Sequence, residues 1–391
     1  MVQYGSSLAG GTAALPPSKS AAHRMLIAGA LCGAPVTVSP VDASRDMEAT
    51  LRVLRALGAQ ADYDPASRAV SLNGAGLGKG EGNLLPCGES GSTLRFLLPV
   101  AAALGGRWTF TGEGRLPQRP LTAYEELFPA HGARLTPTGP EGLPLKCEGR
   151  LAPGRYALAG NVSSQFITGL LLALPLLEGD SEIVLTTPLE SSGYVDLTLA
   201  VLEKFGVAPE ATPTGWKVPG GQRYRAPASL RVEGDWSQAA FFLALAALDP
   251  AGHALRLTGL DPASVQGDKA CVEVFTGFGL ETRWEDGALV ARNPRAGEPF
   301  GGLTGQVIDA GQIPDMVPAL AVTAALARGE TRIVNAARLR LKESDRLAAM
   351  EAALTALGGQ VTATADGLVI QGVEALAGGT ALGCNDHRAV M

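Results

Sequence analysis

Aromatic residues supply only 5% of this 391-residue chain, cysteines number five and histidines four. Long apolar runs are missing too. The longest, residues 166–177 and 316–327, span about 12 residues, short of the ~18–20 that a bilayer crossing needs. No transmembrane helix is therefore expected. The cysteines (Cys32, Cys87, Cys147, Cys271, Cys384) are scattered and form no CxxC. That excludes a disulfide framework and a structural zinc motif, and reads as reduced thiols in a cytoplasmic protein. Positive charge is in deficit: the formal net charge is −6, giving no global support for a nucleic-acid partner. The opening residues Met-Val-Gln-Tyr-Gly-Ser-Ser have neither a basic segment nor an apolar one, so no secretory signal is expected. What the chain does have is glycine, 50 residues, and 46% apolar content, ample for a buried core. The glycines follow no three-residue period, which excludes collagen.

Glycine also punctuates the chain. Gly58, Gly132, Gly206, Gly279 and Gly358 each close an amphipathic run, at spacings of 74, 74, 73 and 79 residues. Leu51, Leu54 and Leu57 show the helical period, as do Leu347, Met350, Leu354 and Leu357. A glycine just after the last periodic residue is a favoured helix stop. Two extended stretches around a turn follow, as in residues 281–291 around Asp286-Gly287 and 360–371 around Asp366-Gly367. Alternating with these are Ala/Leu-rich helices followed by β-branched strands, at 23–38, 94–111, 165–185, 237–257 and 315–334. Helices apolar nearly all round belong inside a domain. Five repeats result, and a sixth opens at Asp386 with its closing glycine extrapolated to about residue 432. Units this long fit two compact domains of three rather than a solenoid.

Cations collect where loops open onto the repeat helices. Lys19 and Arg24 lie in residues 15–24, Arg95 follows the Gly/Ser loop 87–94, and Arg119 ends 112–119. Arg338, Arg340, Lys342 and Arg346 crowd residues 337–346, and Arg388 opens the sixth repeat. Such loops present unpaired N–H groups and a positive dipole end, a ready site for anions. Gly160-Asn-Val-Ser-Ser-Gln165 repeats the arrangement with hydroxyls and an amide. Singly, each has a plain structural reading. A lone arginine is a solvated charge, Ser-Lys-Ser a helix cap, and Ser344 or Asp345 a cap for the helix at 346. Asp315 reads as a cap or a base, and Glu343 as a surface ion pair or a base kept ionised by nearby cations. Convergence of helix-linked cations from separate repeats favours one polyanion site. His23, His131 and His253 have no sequence partners and read as structural or surface residues. His387, between Asp386 and Arg388, stays open.

The ordered motifs Leu15-Pro-Pro-Ser-Lys-Ser-Ala-Ala-His-Arg24, Gly88-Glu-Ser-Gly-Ser-Thr-Leu-Arg95, Val162-Ser-Ser-Gln-Phe166, Glu233-Gly-Asp235, Gln266-Gly-Asp268, Ile313-Pro-Asp315, Lys342-Glu-Ser-Asp-Arg346 and Asn385-Asp-His-Arg388 resemble the 5-enolpyruvylshikimate-3-phosphate synthases (3-phosphoshikimate 1-carboxyvinyltransferases). The resemblance implies an α/β fold, a two-domain inside-out α/β barrel of the enolpyruvyl transferase type. It is built from βαβαββ units, three per domain, the sixth here truncated. It further implies a discontinuous domain of residues 1–19 and 232–391, a second domain of 20–231, and substrates in the cleft between them. The implied reaction joins phosphoenolpyruvate to the 5-hydroxyl of shikimate 3-phosphate. These ligands carry about six negative charges together, which several fixed cations would offset.

Carried over by position, the resemblance gives shikimate 3-phosphate to Lys19, Ser20, Arg24, Ser163, Ser164, Gln165, Ser191, Tyr194, Asp315 and Lys342. It gives phosphoenolpyruvate to Lys19, Gly91, Arg119, Gln165, Arg346 and Arg388. Asp315 would take the hydroxyl proton, with Glu343 and Lys19 handling protons at the enol. No metal or organic cofactor is implied, nor a nucleic-acid or membrane partner, and a monomer is the family habit. Gly91 implies competition by glyphosate. Two departures stand out. Arg338 replaces an asparagine that contacts the shikimate ring, and family members continue several dozen residues beyond the Asp-His-Arg motif. The alternatives are the related transferase of UDP-N-acetylglucosamine and a shortened, catalytically impaired ligand-binding form. RNA 3′-phosphate cyclase shares the repeat but needs a nucleophilic histidine and a nucleotide site, and neither shows in the sequence.

Overall fold

A computed structural model describes residues 10–80 and 82–391. The chain divides into two compact units, Pro17–Val232 and Met1–Pro16 with Glu233–Met391. In Pro17–Val232 the helices are α1 (Lys19–Leu31), α2 (Arg45–Ala56), α3 (Gly91–Leu104), α4 (Thr122–Leu127), α5 (Ser164–Ala173) and α6 (Ser192–Lys204). In the other unit they are α7 (Trp236–Leu248), α8 (Cys271–Phe278), α9 (Val317–Ala325), α10 (Arg346–Ala356) and α11 (His387–Val390). As their composition requires, α1, α3, α5, α7 and α9 are buried along most of their length.

Five sheets accompany the five repeats among the described residues. Each full sheet pairs a first strand in parallel with the strand after the buried helix, then adds a hairpin antiparallel. Leu84–Pro86, Arg107–Thr111, Leu145–Gly149 and Ala133–Pro137 follow this order. So do Arg155–Leu158, Ser181–Leu185, Gly215–Val218 and Glu210–Thr212. Among the described residues, the sheet of Val36–Val38, Ala69–Asn73 and Gln60–Asp64 lacks the first strand. There Arg231 comes alongside Ser39 in a single parallel bridge. In the second unit, Gly11–Ala14 supplies the first strand to Leu255–Thr258, ahead of Ala288–Arg292 and Glu281–Glu285. Val307–Asp309, Glu330–Val334, Leu368–Gln371 and Gln360–Ala363 make the last sheet. One sheet thus draws its first strand from residues far away in sequence, ahead of Pro17–Val232.

The five stop glycines all have left-handed backbone, with φ from +71° to +118°. One repeat departs from the expected amphipathic helix. Before Gly132 the chain forms the short α4 and then a 3-10 turn, Phe128–His131, because Pro129 has no N–H to continue the ladder. Conversely, α3 runs on through Pro99. The carbonyl of Arg95, four residues before Pro99, receives the buried Tyr124 hydroxyl at 2.7 Å instead. Gly169 of α5 packs on this spot: a Cβ there would lie 2.3 Å from the Arg95 carbonyl oxygen and from the Tyr124 hydroxyl.

No helix among the described residues is long and apolar enough to cross a membrane.

Candidate active site

In the unit Pro17–Val232, the N-termini of α1, α3, α5 and α6 are joined through their first turns. Ser18, Ser90 and Ser163 cap the first three, accepting from Ala21 N, Thr93 N and Gln165 N. Ser191 begins α6 with φ +55° and is buried. Arg24 fastens three of these helices. It donates to the Ser20 carbonyl (2.7 Å), the Tyr194 carbonyl (3.0 Å), Thr198 Oγ1 (2.8 Å) and Thr168 Oγ1 (3.3 Å), and its guanidinium lies 5.0 Å from the Phe96 ring centre. Only 2% of it is exposed, and burial pulls its pKa down to about 9, Tyr194 opposing. Most of its hydrogen-bonding capacity is therefore spent inside the protein. It holds Ser20 and Tyr194 in place more than it reaches out to a ligand.

Lys19 Nζ forms an ion pair with Asp46 Oδ2 at 2.8 Å. Gly91, the first residue of α3, lies against Arg119: a Cβ would approach Nη1 to 2.6 Å and Cζ to 2.8 Å. Only glycine lets that guanidinium sit over the helix N-terminus. Gln165 opens α5 with its amide gripped from both sides, Arg95 Nη1 donating to Oε1 (2.8 Å) and Nε2 donating to Ser92 Oγ (3.1 Å). Arg95 also donates to the Pro120 carbonyl at 2.9 Å and lies 4.9 Å from the Phe166 ring centre. Ser164 is buried, whereas Ser163, Ser20 and Tyr194 are half-buried.

The second unit holds the other sequence-predicted residues in one charge network. Asp315 does not cap a helix. Its carboxylate meets Arg346 Nη1 at 3.1 Å, Arg388 Nη2 at 3.2 Å and Lys342 Nζ at 3.6 Å. Glu343 takes Arg346 Nη2 at 3.1 Å. Beneath them Asp386, 0% exposed, receives Arg346 Nε at 2.9 Å, Ser344 Oγ at 3.0 Å and the Arg388 backbone N–H at 3.0 Å. Burial raises the Asp386 pKa, but the hydrogen bond and charge of Arg346 outweigh it and hold the group below its usual value. Burial likewise disfavours charge on Arg346, and Asp315 and Asp386 more than restore it. Arg388 also donates to Ser237 Oγ (3.0 Å), whose own hydroxyl bonds Asp235. Of the two candidate caps for α10, Asp345 is the one used, which leaves Ser344 for Asp386.

Not every cation of residues 337–346 joins in. Arg340 turns to Asp345 and the Ala365 carbonyl, and Arg338 donates to the Gly311 carbonyl. Sequence reasoning assigned no role to the holders Asp46, Arg95, Ser237 and Asp386. Arg95 and Asp386 carried a signal, each standing in one of the ordered motifs. Of the histidines, His253 pairs with Asp249 at 2.9 Å, His131 stacks on Tyr156, His387 is exposed, and His23 is buried. Among the described residues no group of His, Cys, Asp and Glu is arranged to hold a metal ion.

The model of one family, EPSP synthase (3-phosphoshikimate 1-carboxyvinyltransferase), matches residues 2–391. The chain is 42% identical over 386 residues to a 3-phosphoshikimate 1-carboxyvinyltransferase of Clostridium perfringens, covering 97% of this chain and 87% of that one. It is also 42% identical over 388 residues to that of Clostridium kluyveri, covering 97% and 86%. Among solved structures it resembles an EPSP synthase from Acinetobacter baumannii, with TM-score 0.77, 27% identity and coverage of 97% and 87%. The enolpyruvyl transferase NikO from Streptomyces tendae shares the fold, with TM-score 0.72, 18% identity and coverage of 94% and 83%.

Proposed function

The chain belongs to the EPSP synthase family, and from that premise we propose how its own residues divide the work. It is a transferase of the 1-carboxyvinyl group, moving the enolpyruvyl unit of phosphoenolpyruvate onto shikimate 3-phosphate in the shikimate pathway, towards the aromatic amino acids. The 5-hydroxyl attacks C2 of the enol as C3 gains a proton. Phosphate then leaves the tetrahedral adduct as C3 loses a proton, giving 5-enolpyruvylshikimate 3-phosphate.

Ser163, Ser164, Ser191 and Lys342 receive the shikimate phosphate, with Lys19, Ser20, Arg24, Gln165 and Tyr194 around the rest of that substrate. The hydroxyls suit phosphate oxygens, and the helix N-termini add favourable dipole. Arg119 over Gly91, with Gln165, Lys19, Arg346 and Arg388, holds phosphoenolpyruvate through charge-assisted bonds. Asp315 accepts the hydroxyl proton, and Glu343 and Lys19 carry protons to and from C3.

The observation that carries this reading is the clustering of Lys342, Arg346 and Arg388 on Asp315. The carboxylate balances part of the positive charge that substrate anions would also seek. Arriving substrate anions take over those guanidinium groups and release Asp315 to act as the base.

Replacing Asp315→Asn tests it. Phosphate release should fall about 10²–10⁴-fold, the usual worth of a positioned base, while titration calorimetry still registers shikimate 3-phosphate. Turnover that survives the change would defeat the assignment.

A further inference from the structure

One set of buried polar groups in the unit Pro17–Val232 has no part in the substrate shell just described. Helices α1 and α2 meet through two rungs. In the outer rung Lys19 Nζ meets Asp46 Oδ2 at 2.8 Å, and in the inner rung His23 Nδ1 meets Thr50 Oγ1 at 2.9 Å. Lys19 and His23 are four residues apart on α1, as are Asp46 and Thr50 on α2, so each pair shares one helix face. The inner rung continues. Thr50 Oγ1 lies 2.7 Å from Thr93 Oγ1 of α3, and Thr93 Oγ1 donates to Ser90 Oγ at 2.7 Å. Ser90 is the N-cap of α3, immediately before Gly91. Thr93 Oγ1 also reaches the Asp46 carbonyl at 3.4 Å, which closes the ladder back onto the outer rung.

Proton counting gives this chain a direction. A threonine hydroxyl has one proton to donate. Thr93 directs its proton to Ser90, the closer acceptor, so Thr50 donates in the Thr50–Thr93 bond. Thr50 then has none left for His23, and His23 must donate from Nδ1–H. Burial keeps the imidazole neutral, so Nε2 is a bare lone pair, and it is buried without a hydrogen-bond partner among the described residues. Four buried polar side chains that end on an unmatched acceptor are a poor choice for stability alone, since apolar groups of similar shape would serve about as well. What such a network does supply is one fixed geometry.

We propose that His23, Thr50, Thr93 and Ser90 form a positioning relay that locks the N-terminus of α3, with Gly91, to the helix face carrying Lys19. The inference rests on reading Gly91 and Arg119 as holders of phosphoenolpyruvate. Breaking the relay leaves Lys19 and Arg119 chemically intact and lets the Ser90 cap and the Gly91 N–H drift from them.

Steady-state kinetics on Thr50→Val and Thr50→Ser provide the test. Thr50→Val should raise KM for phosphoenolpyruvate about tenfold, the worth of one hydrogen bond, with kcat and KM for shikimate 3-phosphate changing far less. Thr50→Ser, which keeps the hydroxyl, should restore the native value. A merely structural role would lower Tm without that split, and parallel changes in both KM values, or no rescue by serine, would overturn the relay. Arg119→Gln separates the two readings: if it raises KM for phosphoenolpyruvate while Thr50→Val does not, the relay alone fails. If Arg119→Gln has no effect, the underlying site assignment fails. Nitrogen-15 NMR of the unmodified protein, with His23→Gln to assign the signal, reads the tautomer directly. Protonated Nδ1 with unprotonated Nε2 is expected, and the opposite tautomer would overturn the proton order.

Discussion

Two buried titratable residues contribute to how the protein responds to acid. Burial is the main cause holding the His23 pKa down from 6.5 to about 3, Lys19 and Arg24 adding to it and Asp46 opposing. Between those values the unfolded imidazole binds a proton that the folded one refuses, so stability falls as pH drops below 6.5, by about 1.4 kcal/mol per pH unit. Asp386 acts the other way round chemically and in the same direction energetically. Its folded pKa lies below its usual 3.8, so the stability it contributes is present above that value and is lost as pH falls through the folded pKa. Thermal melts from pH 8 to pH 3 should therefore be flat above about 6.5 and slope downward below it. His23→Gln should flatten the slope between pH 6 and 4 and leave the steeper acid leg. An unchanged slope would contradict a neutral, buried His23. At this scale the sequence was informative about the groups that carry charge and silent about those that hold them. Asp315, Lys342 and Arg346 stand in short motifs, but the partnership of Lys19 with Asp46, or of Arg24 with Thr198, depends on which helices the fold brings together.

Among elements, the joint of α3 and α5 best shows how local and tertiary structure bargain. Pro99 denies the Arg95 carbonyl its usual helical donor, and Tyr124 makes up the loss. Removing that hydroxyl by Tyr124→Phe leaves a buried carbonyl unsatisfied and should cost about 1–3 kcal/mol in urea unfolding. In a Pro99→Ala background the backbone N–H returns, so the same substitution should cost markedly less; equal costs in the two backgrounds would refute the exchange. The Asp-Gly hairpins and glycine helix stops were legible because each is a local conformational demand. The survival of α3 through Pro99 was not, because its compensation comes from a residue 29 positions away.

Across the molecule, the repeat could be read from periodic glycines because each unit must stop its helix in the same way. The strand bookkeeping could not, since the partner of residues 11–14 is set by topology. That strand pairs Leu255–Thr258, and Leu15 N and Asp235 N add bonds to the Thr258 and Pro16 carbonyls. A chain begun at residue 17 keeps every strand of the unit Pro17–Val232 but bares a sheet edge in the other unit. Calorimetry on it should show the first unit melting as before and the second at lower temperature, with aggregation. Two unshifted transitions would refute the dependence. The same pairing has a temporal side. During synthesis Leu255 emerges 244 residues after its partner Gly11. Residues 11–14 must remain uncommitted while the intervening Pro17–Val232 is completed, so during synthesis the protection of this strand falls to whatever meets it at the ribosome.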